Sequence, residues 1–131
     1  TITGAAISGG SATGLTSVSG ATVTSTGDLY VASATVAATG STQANAAQLA
    51  GGFTLVSAAD GTKGVKLPEA AAGRVVILKN GAAAILKVWP SSGDAINAIA
   101  ADSNYVLAAN TSSLLVAYDS TTWYSVPLLA S

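Results

Sequence analysis

Residues 75–88 read VVILKNGAAAILKV, two apolar runs on either side of the dipeptide Asn80-Gly81. The runs at 75–78 and 85–88 consist of β-branched and other aliphatic residues with one lysine, a composition that favours strands. Asn-Gly provides the two residues with positive φ that a two-residue hairpin turn requires. The pattern therefore predicts a tight β-hairpin between the two runs.

Similar short runs continue on both sides of this stretch, separated by the turn signals Asp60-Gly61, SSGD at 91–94 and DSTT at 119–122. Many short strands with such turns are typical of an all-β sandwich or jelly roll, which we predict for residues 41–131. The Ala- and Gln-rich segment 41–50 fits a helical turn or an extended chain. The predicted strands of this region are 53–57, 63–68, 74–80, 83–90, 104–109, 113–118 and 122–128. The β-branched residues Val31, Thr35 and Val36 indicate a further strand within 28–39, where the chain leaves the N-terminal segment.

The N-terminal segment 1–40 is rich in Gly, Thr and Ser, and Asp28 is the one charge in the first 59 residues. Its apolar residues are isolated from one another, and glycine adds backbone entropy that folding must overcome, so the segment cannot form a core alone. We predict an extended arm that intertwines with neighbouring copies; a flexible tail is the alternative. The candidate interface residues of the arm are Ile2, Ile7, Leu15, Val18 and Val23.

Charge is scarce throughout the chain. Asp, Glu, Lys and Arg make up 8% of the residues, against about 25% in an ordinary soluble domain, and the net charge is −1. A surface with so few charges is poorly protected against association, so we expect much of it to be covered in an assembly. The near-neutral balance disfavours nucleic acid as a partner, and no stretch has the ~20 strongly apolar residues of a transmembrane helix.

The residues needed for common catalytic chemistry are missing. The chain has no His and no Cys, which excludes imidazole bases, thiolate nucleophiles and the usual zinc ligands. Its Asp residues fall mostly at predicted turns, where Asp caps the local backbone, and this favours turn stabilisation over a calcium site at Asp94 and Asp102. A glycan hydrolase would need paired carboxylates in a groove. We predict no enzyme, no metal and no cofactor.

The aromatic residues have two interpretations. They can fill the core or a subunit interface, which we favour because the chain has few other large side chains, or they can stack on the sugars of a receptor. The residues concerned are Trp89, Tyr105, Tyr118, Trp123 and Tyr124.

Residues 52–128 resemble a domain that recurs in structural proteins of tailed bacteriophages. The stretches that carry the resemblance are GFTLV at 52–56, GTKGVKLP at 61–68, GRVVILKNG at 73–81, KVWP at 87–90 and GDAIN at 93–97. LAAN at 107–110 and TWY at 122–124 are similar too. The Gly/Thr/Ser pattern of the arm looks like the intertwined segments of phage fibres and of trimeric capsid decoration (cement) proteins. Both groups are virion homotrimers, which is what the resemblance implies.

These observations lead to an expected function. We expect a structural virion protein on the capsid surface, a decoration or cement protein that forms a homotrimer and stabilises the phage head by binding the major capsid protein. The alternative is a short tail or head fibre that binds a host-surface glycan. Deleting residues 1–27 is expected to leave the β domain folded and to weaken the trimer or its attachment to the capsid.

Overall fold

The computed structural model describes residues 26–128. The arm residues 1–25, including all five of the predicted interface residues Ile2, Ile7, Leu15, Val18 and Val23, therefore lie outside the described part. Chain contacts divide the molecule into two units, Thr1–Tyr30 and Val31–Ser131. In the described part of the first unit, the Tyr30 hydroxyl donates a hydrogen bond to the Asp28 carboxylate at 3.5 Å. The second unit contains every described strand.

The described part of the chain is all-β and contains no helix, which confirms the predicted class. The seven strands predicted between 53 and 128 are present, with bounds that differ by a few residues, and the strand predicted within 28–39 is present at Ser33–Ala37. Two further two-residue strands lie at Ala47–Gln48 and Ala95–Ile96. The strands are β1 Ser33–Ala37, β2 Ala47–Gln48, β3 Gly52–Ala58, β4 Gly64–Lys66, β5 Val75–Asn80, β6 Leu86–Trp89, β7 Ala95–Ile96, β8 Tyr105–Leu107, β9 Ser112–Ala117 and β10 Thr122–Leu128.

The strands form two sheets between which the chain alternates. A six-stranded sheet has the order β1-β3-β5-β9-β10-β7, and a four-stranded sheet has the order β2-β4-β6-β8. β1, β3 and β5 pair in parallel, as do β2, β4 and β6. The first six strands therefore form three stacked rungs of a solenoid-like arrangement, with one strand of each rung in each sheet.

The last strands close this stack with antiparallel pairs. β8 runs antiparallel to β6, and β9 runs antiparallel to β5. β10 then pairs antiparallel with β9 and, over two residues, parallel with β7.

This topology differs from a jelly roll, whose strands are antiparallel, although two sheets do enclose one core. The predicted hairpin at 75–88 is wrong, because β5 pairs with β3 and β9 while β6 pairs with β4 and β8. Neither Asn80 nor Gly81 has a positive φ. Residues 81–85 carry the chain from one sheet to the other, so pairing between successive rungs overrides the local turn signal.

The segment 41–50 was predicted to form either a helical turn or an extended chain, and it contains a short stretch of each. The N–H groups of Asn45 and Ala46 donate to the Thr42 carbonyl at 3.2 and 3.0 Å, which makes a single turn. The chain then extends into β2.

The core lies between the two sheets. Alternate residues of each strand point inward, and the side chains from both sheets form one buried cluster. Trp123 is its largest fully buried member. Other fully buried members are Val56, Val65, Leu67, Val76, Leu78, Leu86, Val88, Ile96 and Leu115.

Candidate functional site

The six-stranded sheet carries apolar residues on its outer surface as well as on its inner one. Along β5, Val76 and Leu78 are buried in the core while Val75 and Ile77 lie on the opposite face. β3 and β9 show the same alternation. In β10 only Trp123 is buried, and Tyr124, Val126 and Leu128 lie on the outer face. We call the resulting outer surface the apolar face, formed by Phe53, Leu55, Val75, Ile77, Leu114, Val116, Tyr124, Val126 and Leu128.

Strand register arranges these side chains in rows across the sheet. Phe53 pairs with Ile77, Ile77 with Leu114, and Leu114 with Val126, so four apolar residues lie side by side in the middle row. Paired residues on one face have Cβ atoms about 4.5–5.5 Å apart, which makes the row continuous. The middle of the apolar face is therefore free of polar side chains from β3 to β10.

One charged side chain, Lys79, lies on the described outer surface of the six-stranded sheet, in the row nearest one end of the strands. Lys79 pairs with Leu55 on one side and Ser112 on the other. Its ammonium group donates a hydrogen bond to the Asn110 carbonyl at 2.7 Å. The charge thus lies at the margin of the apolar face, next to a backbone acceptor.

Two tyrosines mark the opposite end. The rings of Tyr118 and Tyr124 are 5.9 Å apart and meet edge to face at 75°. Both residues are at least half exposed.

A shallow groove of about 240 Å³ flanks the apolar face beside β1, lined by Ser33, Ala34, Thr35, Phe53 and Leu55. β1 is an edge strand with no lysine and no proline, the residues that commonly protect such edges.

The outer surface of the four-stranded sheet differs in character. Lys66 and Lys87 point outward from β4 and β6, and they pair with Trp89 and Val106 respectively. We call this surface the lysine face. Lysine side chains on a strand surface keep their ammonium groups in water, so this face suits solvent.

The carboxylates stabilise turns, as predicted for most of them. The side-chain hydroxyl and N–H of Thr62, with Lys63, donate to Asp60 and hold the pKa of its carboxyl far below the ordinary value. The Thr121 N–H donates to the Asp119 carboxylate and lowers the pKa of that group as well. Both are Asx-type turns, which fix the chain reversal through side-chain acceptors.

Asp94 and Asp102 lie close to each other, but the carboxylate of each accepts hydrogen bonds from other residues. The Asp102 N–H donates to the Asp94 carbonyl at 3.0 Å. The buried Asp94 carboxylate accepts from the Ala70 N–H at 2.9 Å. The Gln43 amide, followed by the Gly93 N–H, lowers the pKa of the Asp102 carboxyl. Within residues 26–128 no three His, Cys, Asp or Glu residues are grouped to hold a metal ion.

The five aromatic residues divide between core and surface. Trp123 is fully buried, and Tyr105 packs partly buried against the core. Trp89 is half-buried on the lysine face, and Tyr118 and Tyr124 are exposed beside or within the apolar face. The core interpretation is confirmed for Trp123 and Tyr105.

The apolar face could have been found in the sequence. Val75-Val76-Ile77-Leu78 and Leu114-Leu115-Val116 are apolar at every position, whereas a strand with one solvated face alternates apolar with polar residues. Continuous apolar strands indicate that both faces are covered.

Comparison of the chain with protein-family models, curated protein sequences and solved structures returns no match. In residues 26–128 no helix has the length and hydropathy of a membrane span.

Proposed function

We propose that this chain is a structural virion protein that decorates the capsid surface of a tailed phage. In this proposal it forms a homotrimer and stabilises the head by binding the major capsid protein. The proposal assigns it no catalytic role and no cofactor.

The observation that carries the proposal is the apolar face, which supports the self-association that the proposal requires. Val75, Tyr124, Val126 and Leu128 of this face are exposed, and its other members are partly exposed. Contiguous apolar surface that remains accessible often marks a contact with another macromolecule. Because the described outer surface of the six-stranded sheet carries one charge, burying it requires little desolvation of charged groups. A protein that functions only by binding to other surfaces needs an apolar surface with few charges and needs no reactive side chain.

The mechanism we propose is the burial of apolar area, repeated over many copies. Each copy contributes a modest interface, and repetition over a lattice adds avidity without any strong single contact. In this proposal the arm contacts the major capsid protein through Ile2, Ile7, Leu15, Val18 and Val23, which lie outside the described residues.

A second candidate, a short tail or head fibre with a glycan-binding role, is favoured by two observations. Rung-on-rung stacking is how elongated repeat proteins are built, and the exposed rings of Tyr118 and Tyr124 offer surfaces on which sugars can stack.

The test is the position of the protein in purified phage particles. Gold or antibody labelling spread evenly over the head supports decoration, and labelling at one vertex or at the tail supports the fibre. Absence of the protein from particles contradicts both. Release of reducing sugar from host polysaccharide by the purified protein would contradict the non-catalytic assignment.

A further inference from the structure

We propose that the apolar face is the interface between copies of this chain, with the lysine face left in solvent. This inference rests on the homotrimer of the proposed function and names the surface that forms it. Its occupant is a second copy rather than the capsid.

The size of the surface fits this role. Five strands about 4.8 Å apart, with about six residues of 3.3 Å rise, give the outer surface of β1, β3, β5, β9 and β10 dimensions of about 24 by 20 Å, roughly 480 Å². The four strands of the apolar face account for about 380 Å² of this area, and β1 adds the polar Ser33 and Thr35. An apolar patch of this size is in the range of the largest patches on protein surfaces, which are often functional. Two such surfaces in contact bury close to the 1,000 Å² or so at which specific interfaces begin.

The distribution of polar groups indicates a copy rather than a foreign partner. Interfaces between identical subunits are more apolar than those between proteins that also exist apart, which resemble ordinary surface. The middle row from Phe53 to Val126 is entirely apolar, while Lys79 lies in a marginal row next to Ser112. An apolar centre with its charge at the rim can pack against the same face of neighbouring copies around a three-fold axis, and it offers no charge pattern that would select a different protein.

The outer surfaces of the two sheets differ in how much charged surface would have to lose water on contact. The lysine face presents Lys66 and Lys87, whose ammonium groups would have to lose water in a tight contact. The apolar face requires no comparable desolvation in its middle row. Burial of the apolar face with exposure of the lysine face is therefore the favoured arrangement.

The chain offers a matched pair of substitutions for the test. Val126, on the apolar face, and Val106, on the lysine face, are both 48% exposed and both lie in strands. Val126→Lys and Val106→Lys introduce the same charge at the same exposure. Val106→Lys also places an ammonium group opposite Lys87, whereas Val126 pairs with Leu114, so any loss of stability within one copy should be larger in the control. Far-UV circular dichroism checks that both variants remain folded.

Sedimentation velocity and native mass spectrometry of the full chain at micromolar concentration give the readout. We expect an oligomer for the unmodified chain and for Val106→Lys. For Val126→Lys we expect dissociation, with a dissociation constant raised at least about 30-fold, the change typical of a hot-spot residue. An oligomer that Val126→Lys leaves intact, or a monomeric unmodified chain, overturns the inference.

A second measurement covers the case in which Val126→Lys fails to fold. Because the chain contains no Cys, a single introduced Cys is the only thiol. Val126→Cys should react with a maleimide reagent at least about tenfold more slowly than Val106→Cys at concentrations where the oligomer forms, and at a similar rate after dilution. Equal rates in the oligomer overturn the proposal.

The outcomes separate this inference from the proposed function. A dimer that Val126→Lys disrupts supports the interface and contradicts the homotrimer. Disruption by Val126→Lys of a protein that is absent from virions supports the interface and contradicts the decoration role. Evenly labelled capsids together with an oligomer insensitive to Val126→Lys contradict the interface alone.

Discussion

Asn80 gives the sharpest test of the fold, because its side chain is fully buried and hydrogen-bonded through both polar atoms. Its Nδ2 donates to the carbonyls of Ala84, Leu107 and Ala108 at 2.9, 3.3 and 3.0 Å, and its Oδ1 accepts from the Ala82 N–H at 3.1 Å. The side chain thus joins the end of β5, the crossing between the sheets and the segment after β8. Asn80→Ala removes all of these bonds.

The expected cost follows from the groups left behind. An unpaired buried N–H at Ala82 costs about 1–3 kcal/mol, and each lost side-chain bond to a carbonyl costs about 0.5–1.5 kcal/mol. Some relaxation is expected, so we predict that Asn80→Ala lowers the free energy of unfolding by about 3–5 kcal/mol. At about 4 °C per kcal/mol for a chain of this size, the melting temperature falls by roughly 12–20 °C.

Urea denaturation followed by circular dichroism at fixed protein concentration measures this loss, with Asn45→Ala, at an exposed position, as the control. Asn80→Asp adds a pH signature. A carboxylate facing three carbonyl oxygens is disfavoured, so its folded-state pKa would lie above the unfolded value of about 3.9. The destabilisation by Asn80→Asp should therefore grow as pH rises from 4 to 8, while that by Asn80→Ala stays constant. A loss below about 1 kcal/mol for Asn80→Ala, equal to that of Asn45→Ala, would refute the reasoning.

Three further predictions concern turns, packing and metals. The lowered pKa values of Asp60 and Asp119 mean that their contribution to stability is present above about pH 4 and is lost as pH falls through the folded-state values. Urea midpoints at pH 5 and pH 2.5 should converge in the double variant Asp60→Asn/Asp119→Asn, and an unchanged difference would count against these turns. A Cβ at Gly64 would lie 2.7 Å from the Lys87 carbonyl oxygen and 2.9 Å from the Trp89 ring, so Gly64→Ala should lower the free energy of unfolding by about 1–3 kcal/mol. Gly27→Ala, where a Cβ meets open space, is its control in the same melting experiment. EDTA should leave the melting temperature unchanged, and a large drop that calcium restores would show a site formed by carboxylates.

Strand positions were predictable from the sequence because they depend on local composition. Each predicted run from 53–57 to 122–128 is a strand in the structure, and the flanking turns at Asp60 and Asp119 use the carboxylate acceptors that the sequence indicated. Predicting strand positions and turns requires only the β-branched content of each run and the identity of the residues that end it.

Strand pairing was not predictable in the same way. Asn80-Gly81 carries a strong hairpin signal, yet Asn80 directs its side chain into the interior and the chain crosses to the other sheet. The choice depends on which distant strands offer an apolar partner surface, and β3 and β9 flank β5 on both sides. A turn propensity worth about 1 kcal/mol or less does not outweigh the pairing and burial of whole strands.

The candidate site was missed for a related reason. Reactive side chains and the glycine-rich arm are conspicuous in the sequence, whereas the apolar face consists of ordinary Val, Leu, Ile, Phe and Tyr residues. Its signal is the lack of alternation in 75–78 and 114–116, and this signal becomes specific only when register aligns Ile77 with Leu114. Sequence alone shows that both faces of these strands are apolar, and the topology shows that the outer ones form a single surface.

The two outer faces bear on the proposed self-association, because their contrast would let so weakly charged a chain associate specifically. If apolar residues were scattered evenly, low charge would lead to indiscriminate aggregation. Here most of the outward apolar strand residues lie on the six-stranded sheet, while the outer surface of the four-stranded sheet combines Lys66 and Lys87 with Trp89 and Val106. In the proposed assembly, association through the first face would leave the second exposed, so contacts between copies would end once the apolar faces are covered. A closed oligomer with a solvated exterior is the assembly that this asymmetry favours, and it can then be repeated on a larger surface.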